Sequence, residues 1–162
     1  MSGDQCDVAG VIARPPLILL VTLAAGLMLD QLYPAGHIAQ MAASLRYLAS
    51  ACALLSGVVL LGAAANEMRK AGTNIPTWEP TLALVTEGVY AASRNPIYLA
   101  FIVIAVGFAL LFRSDWIFVL LVPFAIVMHY GVIRREEAYL LARFGSVYAD
   151  YTKRTPRYAF GI

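Results

Sequence analysis

Four stretches of this chain are too apolar and too long for an ordinary soluble fold: residues 16–33, 44–65, 97–112 and 116–133. A helix needs roughly 17 to 25 mostly apolar residues to cross the hydrocarbon core of a bilayer. Each window therefore predicts a transmembrane helix, and the third is short enough that it must tilt little or thin the bilayer locally. Composition agrees, with 60% hydrophobic and 14% charged residues over 162 positions, whereas soluble domains carry about 25% charged residues. The expected fold is all-α: a polytopic membrane protein with four transmembrane helices, forming a single membrane domain over 1–162. Arg14 ahead of the first run also fits a secretory leader; with Met1 heading the chain, that run is expected to be a retained span.

Basic residues set the orientation. Four spans place Arg14, the connection carrying Arg69, Lys70 and Arg94, and the C-terminal Arg134, Arg135, Arg143, Lys153, Arg154 and Arg157 on one side. That leaves only Arg46 and Arg113 opposite, so the positive-inside rule predicts cytoplasmic termini. Tyr33 and Trp116 fall at span ends on the other side, where amphipathic rings belong. Ala49, Ala53 and Gly57 recur every four residues, a face that lets a neighbouring backbone approach. Only "RSD" separates the last two spans, which predicts a tight antiparallel hairpin with Ser114 or Asp115 capping the fourth helix.

The connection 66–95 is punctuated by Gly72, Pro76, Pro80 and Gly88, which break regular helix. Its Trp78, Leu82, Leu84, Val85 and Tyr90 argue for a packed, functional loop rather than a disordered one. After residue 133, "RREEAYLLARFGSVYADYTKR" spaces Leu140, Leu141, Phe144, Val147, Tyr148 and Tyr151 near helical periodicity. A cytoplasmic amphipathic C-terminal helix is expected there, lying on the membrane or folding over the middle loop.

Chemistry concentrates in "EGVYAASRNPIYLA" (87–100) and the Glu136–Glu137 pair. Asn95 followed by Pro96 is a favourable helix start. The positive end of that helix and the fork-shaped guanidinium of Arg94 suit a carboxylate or phosphate. The bland reading is an ordinary cap beside a positive-inside arginine. Because a hairpin returns to its starting side, Glu136 and Glu137 are expected near Arg94. His129, seven residues before Glu136, shares its face on a regular helix and is expected to be a hydrogen-bonded structural residue.

Other classes find little support. A net charge of +2 without a basic run offers nothing for nucleic acid. Two cysteines, Cys6 in the tail and Cys52 inside the second span as a small hydrophobe, make neither a disulfide framework nor a metal site. Asp30 lies near the end of the first span, and no carboxylate sits mid-bilayer as proton-coupled exporters require. Dinucleotide, Walker and nucleophile-elbow motifs are missing.

The blocks "AGTNIP" (71–76), "LVTEGVYAASRNPIYLA" (84–100), "RREEAYLLARFGSVYADY" (134–151) and "TPR" (155–157) resemble the small integral-membrane methyltransferases that include isoprenylcysteine carboxyl methyltransferases and phospholipid N-methyltransferases. The family pattern is Arg-His-Pro-x-Tyr-x-Gly followed, after a hydrophobic stretch, by Glu-Glu. Here Asn95 stands at the His position and Ala100 at the Gly position, the latter adding a methyl where the backbone can approach a ligand. The resemblance covers the C-terminal half; the first two spans match only as hydrophobic helices.

The resemblance implies S-adenosylmethionine bound by residues 66–100 and 129–157, with S-adenosylhomocysteine as product and no metal. Its cofactor residues would be Leu84, Val85, Gly88, Tyr90, Arg94, Asn95, Pro96, Tyr98, Leu99, Ala100, Glu136 and Glu137. Arg94 suits the methionyl carboxylate, either glutamate the ammonium or ribose hydroxyls, and the apolar residues the adenine. Arg94 and Glu137 are the implied catalytic pair, with Glu137 removing a proton where the acceptor is an amine or hydroxyl. The implied acceptor is lipophilic or lipid-anchored, first an isoprenylcysteine carboxylate, otherwise a phospholipid amine or a thiol. The short alanine-rich spans point to a prokaryotic inner membrane. A sterol-type reductase and a four-helix transporter or scaffold are the other open readings, and oligomeric state is open.

Overall fold

The computed structural model describes residues 8–159; Cys6 lies outside them. Among the described residues every regular element is helical: α1 (Pro15–Leu32), a 3-10 turn (Ile38–Gln40), α2 (Ala43–Lys70), the short α3 (Val89–Ala92), α4 (Pro96–Phe112), α5 (Asp115–Val127), a π-helical stretch (Met128–Ile133), α6 (Arg134–Phe144) and α7 (Ser146–Arg154). Three rods are long and apolar enough to cross a membrane: α1, α2 and the continuous Asp115–Phe144. Helix α4 has 17 residues and no charge, shorter than the other three.

Two boundaries differ from the sequence expectation. Helix α2 runs to Lys70 rather than stopping at 65, because nothing in 66–70 breaks it and Arg69 and Lys70 complement its C-terminal dipole. It ends where Gly72 takes φ 68, with Gly72 N–H donating to Arg69 O (3.0 Å) and Thr73 N–H to Met68 O (3.1 Å), the Schellman pattern. The C-terminal amphipathic segment is two helices rather than one. Its first part, α6, prolongs the α5 rod, and the chain breaks at Gly145, whose φ of 53 and ψ of −126 suit only glycine.

Helix α4 is the centre of the bundle. Helix α2 packs along its length, α1 lies against α4 and α5, and α4 and α5 form the expected hairpin. Contact between α2 and α4 is close because small groups interlock. Ser50 Oγ donates to Gly107 O at 2.9 Å, and a side chain on Gly57 would begin 2.6 Å from Ile104 Cγ1 and 3.3 Å from Ala100 O. Of the expected face, Gly57 carries the contact while Ala49 and Ala53 are only half-buried; the deepest stripe is Ser50, Gly57 and Ala64. Cys52 is a free thiol that faces outward instead of packing.

Arg113 closes the hairpin in the left-handed region (φ 60), and Ser114 Oγ caps α5 by accepting from Ile117 N–H at 3.0 Å. Asp115 does something else: its carboxylate accepts from His37 N–H (2.8 Å) and Ile38 N–H (3.1 Å). Trp116 Nε1 donates to Tyr33 O at 2.6 Å, so the two predicted belt aromatics fasten the α1–α2 connection to α5. The buried core joins Leu19, Phe101, Ala105, Phe124 and Met128. Leu20, Val21, Leu55, Val58, Val59, Val122 and Ile126 are exposed, an apolar belt far larger than soluble monomers show. These are the proportions of an integral membrane protein.

Candidate active site

The loop after α2 folds over the end of the bundle. Thr73 Oγ1 accepts from Leu82 N–H (2.8 Å) and Asn74 Nδ2 donates to Pro80 O (3.0 Å). Tyr139 of α6 accepts from Thr81 N–H (3.1 Å), and the Arg14 guanidinium lies over the Trp78 ring at 4.4 Å. The loop is therefore packed between α1 and α6, as its apolar content predicts. At its end Gly88 (φ 59) starts α3 against Glu67, where a side chain would begin 2.9 Å from the carboxyl carbon. Tyr90 of α3 is buried, and its carbonyl accepts from Tyr151 Oη at 2.7 Å.

The C-terminal segment closes the other side. Arg94 N–H donates to Pro156 O (3.0 Å), while Ser93 Oγ and Asn95 Nδ2 both donate to Arg157 O (3.1 Å each). Asn95 is thus the first residue outside α4 as predicted, yet its side chain does not cap the helix; a backbone carbonyl of the C-terminal segment takes its amide. The first-turn N–H groups of α4 are accordingly not consumed by that cap. Tyr158 Oη lies 2.7 Å from His129 Nδ1, which gives His129 its structural role. The π-helical stretch Met128–Ile133 covers most of the interval from His129 to Glu136, so the regular-helix spacing expected of that pair does not apply.

The two glutamates have different surroundings. Glu137 is held by Arg157, whose Nε lies 3.0 Å from both carboxylate oxygens and whose Nη2 lies 2.7 Å from Oε2; Arg94 Nη2 is 3.4 Å from Oε1. Glu136 accepts from Tyr98 Oη at 2.5 Å. Arg94 Nε is buried without a partner, a cost that an incoming anion would remove.

Between the loop, α3, α4 and α6 lies a cavity of about 410 Å³, within the range of small-molecule sites. Leu84, Val85, Tyr90, Arg94, Asn95, Pro96, Tyr98, Glu136 and Glu137 line it. Three expected residues do not. Leu99 and Ala100 are not part of its lining, Ala100 being fully buried with its carbonyl oxygen beside Gly57 of α2, and Gly88 serves the turn against Glu67. The extra methyl of Ala100 is buried with the rest of the residue and does not line the cavity. The cavity continues along Leu61, Ile97 and Phe101 into the apolar bundle, with Pro15 and Pro16 beside it.

Several lining groups were not assigned to the site from sequence. Trp78, Tyr148 and Tyr151 were visible only as apolar positions; Arg157, which holds Glu137 without lining the cavity, was visible only as a positive charge, with the "TPR" block the one signal pointing to it. Burial pushes the Tyr90 and Tyr148 phenols well above the ordinary range, with Glu136 and Glu137 respectively adding to the effect. Burial likewise pushes Tyr151 up to about 12, and the hydrogen bonds that Arg157 donates to Glu137 raise the arginine further. Near neutral pH the mouth therefore holds neutral phenol donors, an orphaned guanidinium edge and a carboxylate. This donor set fits S-adenosylmethionine: Arg94 and the α4 start for a carboxylate, Glu136 for an ammonium or hydroxyls, and Leu84, Val85 and Trp78 for an aromatic base.

Residues 45–147 match the phospholipid methyltransferase family model, and the chain belongs to that family. It is also similar to the protein-S-isoprenylcysteine O-methyltransferase of Schizosaccharomyces pombe, with 38% identity over 76 residues, a stretch amounting to 45% of this chain and 31% of that protein. The chain thus spans less than a third of the length of that relative. No solved structure matches it.

Proposed function

We propose that the protein is a membrane methyltransferase that uses S-adenosylmethionine and a lipophilic acceptor. The observation that carries this reading is the convergence of Arg94, with its orphaned Nε, and Glu136 on one cavity that runs from a polar mouth into the apolar bundle. Arg94 and the start of α4 hold the methionyl carboxylate. Glu136, oriented by Tyr98, holds the ammonium or ribose hydroxyls. Leu84, Val85, Tyr90 and Trp78 enclose the adenine. Bound there, the cofactor supplies an electrophilic methyl and leaves as the thioether S-adenosylhomocysteine.

The acceptor is an isoprenylcysteine-like carboxylate, entering along Leu61, Ile97 and Phe101. A carboxylate needs no base, so the chain has only to align two reactants and exclude water. The family model favours a second reading, a phospholipid amine, which must lose a proton. Glu136 is better placed for that than Glu137, whose oxygens are already engaged by two guanidinium groups. Four crossings, with α4 the third, put both termini in the cytoplasm of a prokaryotic inner membrane.

Calorimetric titration of S-adenosylhomocysteine into the detergent-purified protein tests this reading. Wild type binds; Arg94→Ala loses about 10- to 100-fold in affinity, the worth of a charge-assisted hydrogen bond. Glu136→Gln and Glu137→Ala also weaken binding. A folded wild type that binds no adenosyl ligand would sink the proposal and bring the transporter or scaffold reading forward.

A further inference from the structure

On the far side of the Arg94–Glu137–Arg157 cluster lies a second, more open groove of about 520 Å³ between α6 and α7. Arg94, Arg134, Arg157, Tyr148, Thr152 and Leu141 line it. Three guanidinium groups face one carboxylate there. Glu137 neutralises only part of that charge, and among the described residues no carboxylate pairs with Arg134. The groove is therefore electropositive, with planar forks suited to bidentate oxyanion contacts.

Its depth is marked independently. Tyr130, 59% exposed, stands one turn before Arg134, whose guanidinium lies 5.7 Å from the ring. An exposed tyrosine beside a snorkelling arginine, just after an apolar rod, belongs at headgroup level. Leu141, 49% exposed, adds an apolar rim. A small hydrated anion gains nothing from that rim, whereas a lipid uses both parts. Arg94 and Glu137, which line both this groove and the reaction cavity, form with the ion-paired Arg157 the partition between them.

We propose that the groove binds the phosphodiester headgroup of an anionic phospholipid, held by Arg134 and Arg157, as a site separate from the reaction cavity. A lipid bound there anchors α6 and α7 to the membrane surface and does not accept a methyl group. The site depends on the electropositive groove and not on methyl transfer.

The full-length protein, reconstituted in bilayers of phosphatidylcholine with a minor share of phosphatidylglycerol, would be released for native mass spectrometry and its retained lipids counted. Wild type is expected to retain phosphatidylglycerol preferentially. Arg134→Glu is expected to reduce that preference about tenfold or more, and the milder Arg134→Gln by less, with melting temperatures reporting that both remain folded. Equal retention of the two lipids by wild type overturns the site, as does a preference that survives both substitutions. In a parallel arm inorganic phosphate is titrated at constant ionic strength; saturable phosphate binding without any phosphatidylglycerol preference overturns the lipid assignment.

Discussion

At Glu137 two guanidinium groups converge on one carboxylate that is only 13% exposed. Arg157 makes the bidentate half of that arrangement and ties the C-terminal segment to α6. Removing it leaves a largely buried carboxylate with a single partner. Because Arg157 is itself one-third exposed, Arg157→Ala is expected to cost about 1–3 kcal/mol, below the range for fully buried pairs. Thermal unfolding in detergent measures this, and Arg157→Lys, which keeps charge but not the fork, should recover only part of it. Tyr151 offers a pH test. Its folded value, about 12 against an ordinary 10.0, means that the folded state holds the phenol proton more tightly. The resulting stabilisation is complete below about pH 10 and lost as pH rises towards about 12. Melting temperature should fall across that interval, and Tyr151→Phe should make the fall shallower while costing about 0.5–1.5 kcal/mol at neutral pH through loss of the bond to Tyr90 O.

Among the elements, α4 positions the chemistry because it carries Tyr98 on its cavity side and the Ala100–Ile104 stretch on its α2 side. Any added volume at Gly57 must displace α4 backbone, since Ile104 N would lie 3.2 Å from the new carbon. Gly57→Val is expected to destabilise by about 1–3 kcal/mol and to weaken S-adenosylhomocysteine binding despite lying outside the cavity. Unchanged affinity in that variant would show that α4 can shift without disturbing the site. The break at Gly145 sets where α7 turns back to bring Tyr148 and Tyr151 to the cavity. Gly145→Ala forces a side chain into a conformation that L-residues rarely adopt, costing about 1–3 kcal/mol, visible as a lower melting temperature.

For the whole molecule, ten of the twelve basic residues fall on the side assigned to the termini. If α4 crosses the membrane, a fluorescent protein fused after residue 162 will mature in the cytoplasm and a phosphatase that needs an oxidising compartment will stay inactive at the same junction. The reverse pattern would mean that α4 does not complete a crossing. Its 17 uncharged residues are close to the lower limit for a span, so this is the element on which the topology turns.

The all-helical class and the three long apolar rods were legible in the sequence because apolar length is a local property: the bilayer requirement is met or failed within each window. The Asn95–Pro96 start of α4, the Ser114 cap and the packed loop were legible for similar local reasons. Which partner each glutamate takes was not, because Glu136 and Glu137 are adjacent and equivalent until Tyr98 and Arg157 approach from 38 and 20 residues away. Nor could local pattern show that Asn95 would give its amide to Arg157 O, or that Ala100 would be buried with its carbonyl beside Gly57 of α2. The sequence by itself determined a helical membrane chain with arginine and glutamate motifs brought to one end by a hairpin. Only the tertiary structure decided the partners of each polar group, because hydrogen bonds and ion pairs are made between segments whose separation in the chain carries no record of their distance in space.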